Sequence, residues 1–127
     1  MTDKFNFGKN VLVVDDQETN QMVMDGILKY YYGIEASFAN NGREAVEMVS
    51  RGEYDLIFMD VNMPVMNGIE ATRAIILENP TIPIVAVTTN ALEENRLEYL
   101  DAGMMECLVK PIDLEALKKV IHLYLLD

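Results

Sequence analysis

The chain reads as an α/β protein, a doubly wound parallel sheet of five strands with five helices, on three observations. Short apolar runs at Val11–Val14, Leu56–Met59, Ile84–Val87 and Cys107–Val109 are continuous and not alternating, as strands buried on both faces require. The stretches between them carry helix-capping residues and helical spacing of apolar side chains. The connections are short, and strands alternating with helices imply parallel pairing through right-handed crossovers.

Taken in order, residues 1–9 show no pattern and are expected to be a loose lead-in to a single domain spanning 1–127. Asn10–Val14 is a buried strand that runs into Asp15 and Asp16. Gln17–Tyr32 follows as a helix, with Met22, Val23, Ile27 and Tyr30 at near-helical spacing and Gly33 as C-terminal cap. Ile34–Ala39 alternates apolar Ile34, Ala36 and Phe38 with Glu35 and Ser37. That is the pattern of a half-exposed edge strand, as the flavodoxin-like order 2-1-3-4-5 gives its second strand.

Asn41-Gly42-Arg43-Glu44 resembles a capping box opening a second helix through Ser50. Asp55–Met59 is the central strand and ends at Asp60, where Pro64 and Asn67-Gly68 force turns. A third helix runs from Asn67-Gly68-Ile69-Glu70 to about Glu78, broken by Asn79-Pro80. Ile82–Thr88 is a buried strand whose proline lies near its start, where it is tolerated. Asn90 caps a fourth helix to Asp101; its apolar positions are the least regular, so it should be the least firmly packed. Cys107–Lys110 is the fifth strand, and Asp113 caps a last helix with Leu114, Leu117, Val120, Ile121, Tyr124 and Leu125 on one face.

Bulk properties bound the function. At 127 residues, 50% of them hydrophobic, the chain is one domain with an ample core. No apolar run approaches the ~20 residues of a membrane span, and Met1–Asn6 lacks the basic and apolar regions of a signal peptide. The single Cys107 excludes an internal disulfide and suits a reducing, cytoplasmic setting. A net charge of −11 argues against nucleic acid as a direct partner and suits cations or a protein with a basic face.

In a parallel sheet every carboxyl end lies on one rim, and ligands bind in the crevice beyond it. The rim residues are Asp15 and Asp16 from strand 1, Asp60 from strand 3, Thr88 from strand 4 and Lys110 from strand 5. In the order 2-1-3-4-5 those four strands are consecutive neighbours, so these groups converge. Two carboxylates at ~4 Å repel by about 4 kcal/mol at an effective dielectric near 20, so either some protonate or a cation neutralises them. An all-oxygen donor set suits a hard ion, and one or two carboxylates plus waters and a phosphate is how Mg²⁺ is usually held.

The remaining parts suit phosphoryl transfer. Asp60, the single acid of the central strand, is the candidate nucleophile, with Asp15 and Asp16 as metal ligands. Lys110 can neutralise, and Thr88 can hydrogen-bond, the equatorial oxygens. Each residue alone has an ordinary structural reading as a capping aspartate, a buried threonine or a surface lysine. All five at the ends of the right strands carry the functional one. Tyr30–Tyr32 reads as a helix end, and Met59, Met63 and Met66 as irregular packing; His122 has no cluster of partners nearby, and Cys107 reads as a small buried hydrophobe.

The combination Asp15-Asp16, Asp60-x-x-Met63-Pro64-x-x-x-Gly68, Thr88 and Lys110-Pro111 resembles the receiver domain of two-component response regulators, over about Asn10–Leu126. The wording of Leu12–Asp16 and Met59–Thr72 is especially similar to receivers of hybrid sensor kinases. The resemblance implies that Asp60 accepts phosphate from a histidine kinase or histidine phosphotransfer protein, with Mg²⁺ held by Asp15 and/or Asp16, Asp60 and the Asn62 backbone carbonyl. It implies that Thr88 and Lys110 engage the phosphoryl group, that Lys110-Pro111 is cis, and that the face of helix 4, strand 5 and helix 5 is switched for a downstream protein target. It implies no catalysis beyond the chain's own phosphorylation and dephosphorylation, the latter tuned at Asn62 and Asn90. The family couples its threonine to an aromatic residue on strand 5; here that position is Cys107, which leaves the loop after strand 4 and helix 4 to carry the signal.

Three other readings are weaker. A phosphatase with an aspartyl intermediate usually has a second aspartate two residues past the nucleophile, where this chain has Asn62. A flavin carrier needs a Gly/Ser/Thr phosphate loop after strand 1, where Asp15-Asp16-Gln17-Glu18 would repel phosphate. A module that only binds proteins would not need the complete set of site residues.

Overall fold

In the computed structural model, which describes residues 9–89 and 92–125, five parallel strands alternate with five helices. They are β1 (Val11–Val14), α1 (Glu18–Tyr32), β2 (Ser37–Ala39), α2 (Gly42–Arg51), β3 (Leu56–Asp60), α3 (Gly68–Glu78), β4 (Ile84–Thr88), α4 (Glu93–Ala102), β5 (Glu106–Val109) and α5 (Leu114–Tyr124). The sheet order is β2-β1-β3-β4-β5, with Val14 level with Met59, Asp60 with Val87 and Thr88 with Val109. This register brings the carboxyl ends of four strands to one rim.

Every residue of β1, β3 and β4 is buried. Because successive strand side chains point to opposite faces, the sheet supports two cores. Val11, Val13, Phe58, Val85 and Val87 pack with Met24 and Leu28 of α1 and Leu117 and Ile121 of α5. Leu12, Val14, Ile57, Met59 and Ala86 pack with Ala45 and Val49 of α2, Ala71 and Ile75 of α3, and Tyr99 of α4. Fully burying a Leu, Ile or Phe contributes ~1.5–3 kcal/mol, so the double-sided central strands hold the rim rigid.

Capping chemistry sets the helix starts. Asn67 and Glu70 form a complete capping box on α3, each side chain reaching the other's backbone N–H. At α2 half the box forms: Asn41 accepts from Glu44 N–H, while the Glu44 carboxylate accepts from Asn40 instead. Asp113 caps α5, and Gly33 and Gly103 end α1 and α4 in the left-handed conformation. Residues 1–8 of the expected lead-in and the expected cap Asn90 lie outside the described residues; α4 starts after Leu92, with no side-chain cap.

Three expectations are corrected in detail. The Met22, Val23 and Tyr30 side of α1 faces solvent, 66%, 56% and 71% exposed. The helix buries Met24, Leu28 and Tyr32 instead, a second stripe at i, i+4 and i+8 that periodicity alone does not rank below the first. The edge strand pairs only over Ser37–Ala39, because Ile34 turns into the core beneath the α1 cap before pairing begins. Lys110 lies one residue past β5, where its N–H still donates to the Thr88 carbonyl. As expected, α4 is thinly packed: of its residues, Tyr99 and Ala102 are the buried ones.

Candidate functional site

Asp15 leaves β1 into a sharp change of direction at α1, and its carboxylate is held from three sides. Oδ1 accepts from the Gln17 N–H at 2.9 Å and the Asn20 amide at 3.3 Å, and Oδ2 accepts from Lys110 Nζ at 3.0 Å. The Gln21 amide fastens the Asp15 carbonyl at 2.7 Å. Asp60, the last residue of β3, is also buried, and its Oδ1 lies 3.4 Å from the same Lys110 Nζ. Asp16 is exposed at the mouth. Asp15, Asp16 and Asp60 each offer a carboxylate oxygen within 4.8 Å of the others.

One ammonium between two buried carboxylates leaves the cluster net negative. Burial pushes the Asp60 carboxyl up to about 6; Lys110 opposes that rise, and the charges of Asp15 and Asp16 add to it. Burial also works against the Lys110 ammonium, but its hydrogen bond to Asp15 and the charges of Asp60 and Asp15 outweigh that and hold its pKa above the ordinary lysine value. A second cation would relieve the excess charge. The donors present, three carboxylates and neighbouring backbone carbonyls, are hard oxygens that fit Mg²⁺.

The β3–α3 loop is shaped around Asp60. A side chain at Gly68 would overlap the Asp60 carbonyl oxygen and crowd Met59, while the Gly68 N–H donates to the Val61 carbonyl at 2.9 Å. Glycine is therefore needed for close approach of α3 to the end of β3. Val65 at the loop tip has φ 72°, a left-handed conformation that a β-branched residue adopts only under constraint. Asn62, two residues past Asp60, is exposed.

Lys110-Pro111 is cis, as the resemblance implied. Beside it a pocket of about 150 Å³ runs between α1 and Lys110–Ile112, floored by Phe58 and Val87 with Asp15 and Lys110 at its mouth. These apolar walls lower the local dielectric and strengthen the Lys110 contacts. Thr88 is buried at the end of β4 with its hydroxyl 3.5 Å from that of Tyr99.

The structure thus brings Asp15, Asp16, Asp60 and Lys110 directly together, with Thr88 one residue beyond Asp60's neighbour Val87. Sequence reasoning passed over Asn20 and Gln21, which hold Asp15, and Tyr99, which meets Thr88. The polar pair five and six residues after Asp15 was a usable signal; Tyr99 carried none, since α4 has no regular apolar stripe. The arrangement can hold a hard divalent cation beside a carboxylate oxygen nucleophile, with an ammonium and a hydroxyl available to a tetrahedral anion.

Comparison with known proteins agrees with this geometry. Residues 11–122 match the family model of the response regulator receiver domain. The sensor histidine kinase RcsC of Escherichia coli K12 is 37% identical over 114 residues, which is 90% of this chain and 12% of that protein. The chain therefore spans about an eighth of the length of that kinase. The receiver domain of the sensor histidine kinase PA1611 from Pseudomonas aeruginosa PAO1, solved with a magnesium ion coordinated in its active site cleft, superposes with a TM-score of 0.83 at 36% identity, over 91% of this chain and 96% of that one. The receiver domain of the Saccharomyces cerevisiae response regulator Ssk1, solved with the histidine phosphotransfer signaling protein Ypd1, gives a TM-score of 0.84 at 33% identity, over 91% and 88%. With the family model covering nearly the whole chain and the acidic rim in place, this chain belongs to the response regulator receiver domains of two-component signalling.

Proposed function

We propose that this chain is a Mg²⁺-dependent phosphoacceptor whose Asp60 takes a phosphoryl group from a phosphohistidine. The observation that carries the reading is the shared ammonium: Lys110 Nζ lies 3.0 Å from Asp15 and 3.4 Å from Asp60 at the sheet's carboxyl rim. Asp60 Oδ attacks phosphorus, the P–N bond to the donor imidazole breaks with its electron pair leaving on nitrogen, and an acyl phosphate remains on Asp60. Asp15 and/or Asp16, Asp60 and the Asn62 carbonyl would hold Mg²⁺, which when bound supplies charge neutralisation to the transferred group. Lys110 adds its charge to the same oxygens, and the Thr88 hydroxyl donates to one of them. Water returns the phosphoryl group as inorganic phosphate. The chain catalyses only these two steps on itself.

The donor is a histidine kinase or a histidine phosphotransfer protein. The Ypd1–Ssk1 complex supports the second route, and the similarity to RcsC supports the first. The output is a change in the face of α4, β5 and α5, where exposed Leu97, Leu100 and Val109 offer apolar surface to a protein target. Intact mass after incubation with acetyl phosphate tests the chemistry. Wild type should gain one phosphoryl group only with Mg²⁺, and Asp60→Asn none; a full gain in Asp60→Asn would overturn the assignment.

A further inference from the structure

We propose that Tyr99, on α4, reads the state of Thr88 and passes it to α4, so that the relay leaves the site through a helix and not through β5. The inference rests on the phosphoacceptor reading above and deepens it. Tyr99 is 3% exposed, and its hydroxyl meets the Thr88 hydroxyl at 3.5 Å. It is one of the two buried residues of α4 and by far the larger, on a helix that begins without a side-chain cap and turns Leu97 and Leu100 to solvent. The ring that anchors this helix is therefore the ring that touches the site threonine. Ala102 and the exposed Arg73–Asp101 pair also hold the helix, and a change at its largest buried side chain bears on the whole of it.

Cys107 of β5, level with Ala86, is small and half-buried, and beside it a cleft of about 160 Å³ is bordered by Arg96, Tyr99, Leu100 and Glu106. The Tyr99 ring has space to enter there because Cys107 does not fill it. Either hydroxyl can donate in the Thr88–Tyr99 contact, and at 3.5 Å it stands at the limit of a hydrogen bond, so any movement of Thr88 Oγ1 toward Asp60 breaks it whichever group donates. A phosphoryl oxygen on Asp60 is a charged acceptor and outcompetes a neutral phenol at the long end of the hydrogen-bond range. As Thr88 turns to it, the Thr88–Tyr99 contact loosens, the ring shifts toward the Cys107 cleft, and α4 loosens with it.

Amide hydrogen exchange across Glu93–Ala102 in the full chain tests the relay, with phosphorylation by acetyl phosphate and Mg²⁺ read independently by intact mass. Phosphorylation of wild type should speed α4 exchange at least about fivefold, the low end of typical coupling between sites. Tyr99→Phe keeps the ring and removes the hydroxyl. It should reach the same phosphoryl occupancy, exchange faster in α4 before phosphorylation, and change by less than about twofold after it. Cys107→Ala should respond like wild type. A Tyr99→Phe protein with the full wild-type response, or a Cys107→Ala protein with none, overturns the relay. Wild type that gains the phosphoryl mass with α4 exchange unchanged overturns the relay and leaves the phosphoacceptor reading standing. Wild type that gains no mass contradicts both.

Discussion

At the scale of single residues, the site is a charge problem solved only in part by the protein. Asp60 is pushed up to about 6 by burial and by its acidic neighbours, against the pull of Lys110. Its folded-state pKa thus lies above its unfolded one, so without metal its contribution to stability is fully present below about pH 4 and is lost as pH rises through about 6. The loss amounts to roughly 3 kcal/mol at most. Urea titrations without divalent cation should show wild-type stability falling between pH 4 and 7 more steeply than that of Asp60→Asn, and saturating Mg²⁺ should remove the difference at pH 7.5. Parallel curves for the two proteins would refute the assignment of charge. The five rim residues were legible in the sequence because each sits at a strand end, and strand ends follow from apolar runs. The contacts of Asp15 with Asn20 and Gln21, and of Thr88 with Tyr99, were not, because they depend on rotamers and on how far α4 stands from the sheet.

At the scale of elements, two adjacent residues of the β3–α3 junction act by different means. Asn67 caps α3 with its side chain and its own N–H donates to the Glu70 carboxylate, so Asn67→Ala should cost ~1 kcal/mol and leave phosphorylation almost untouched. Gly68 faces the Asp60 carbonyl with no room for a methyl group. Gly68→Ala should therefore cost about 1–3 kcal/mol through overpacking, and also slow phosphorylation by acetyl phosphate because the backbone of the acceptor itself must move. Melting temperatures paired with phosphorylation rates separate the two: equal rate losses would place the fault in helix stability. The Asn-Gly dipeptide announced a turn and a cap in the sequence. Only the packed structure shows that its glycine is set by Asp60. The α1 stripe was misjudged for a related reason, since two apolar stripes lie on one helix and only the sheet decides which is buried.

At the scale of the molecule, a net charge of −11 over 127 residues opposes compaction, and the three clustered carboxylates concentrate that opposition at one rim. Raising NaCl from 0.05 to 0.5 M without divalent cation should raise the melting temperature by about 3–5 °C, equivalent to ~1 kcal/mol. A flat profile would show that the charge is already screened by its spacing. The strand order was legible from the alternation in Ile34–Ala39, which marked an edge, and from the continuous runs that marked the interior. The shortness of that edge was not, because pairing length depends on where the chain leaves α1. That order has a consequence for life in company. The two outer strands, β2 and β5, are three and four residues long, and β5 is bracketed by Glu106 at its start and Lys110 just past its end. A neighbouring chain finds little unpaired backbone to extend and charge where it would begin. The fold can be held at high local concentration, tethered beside copies of itself, without its sheets fusing edge to edge.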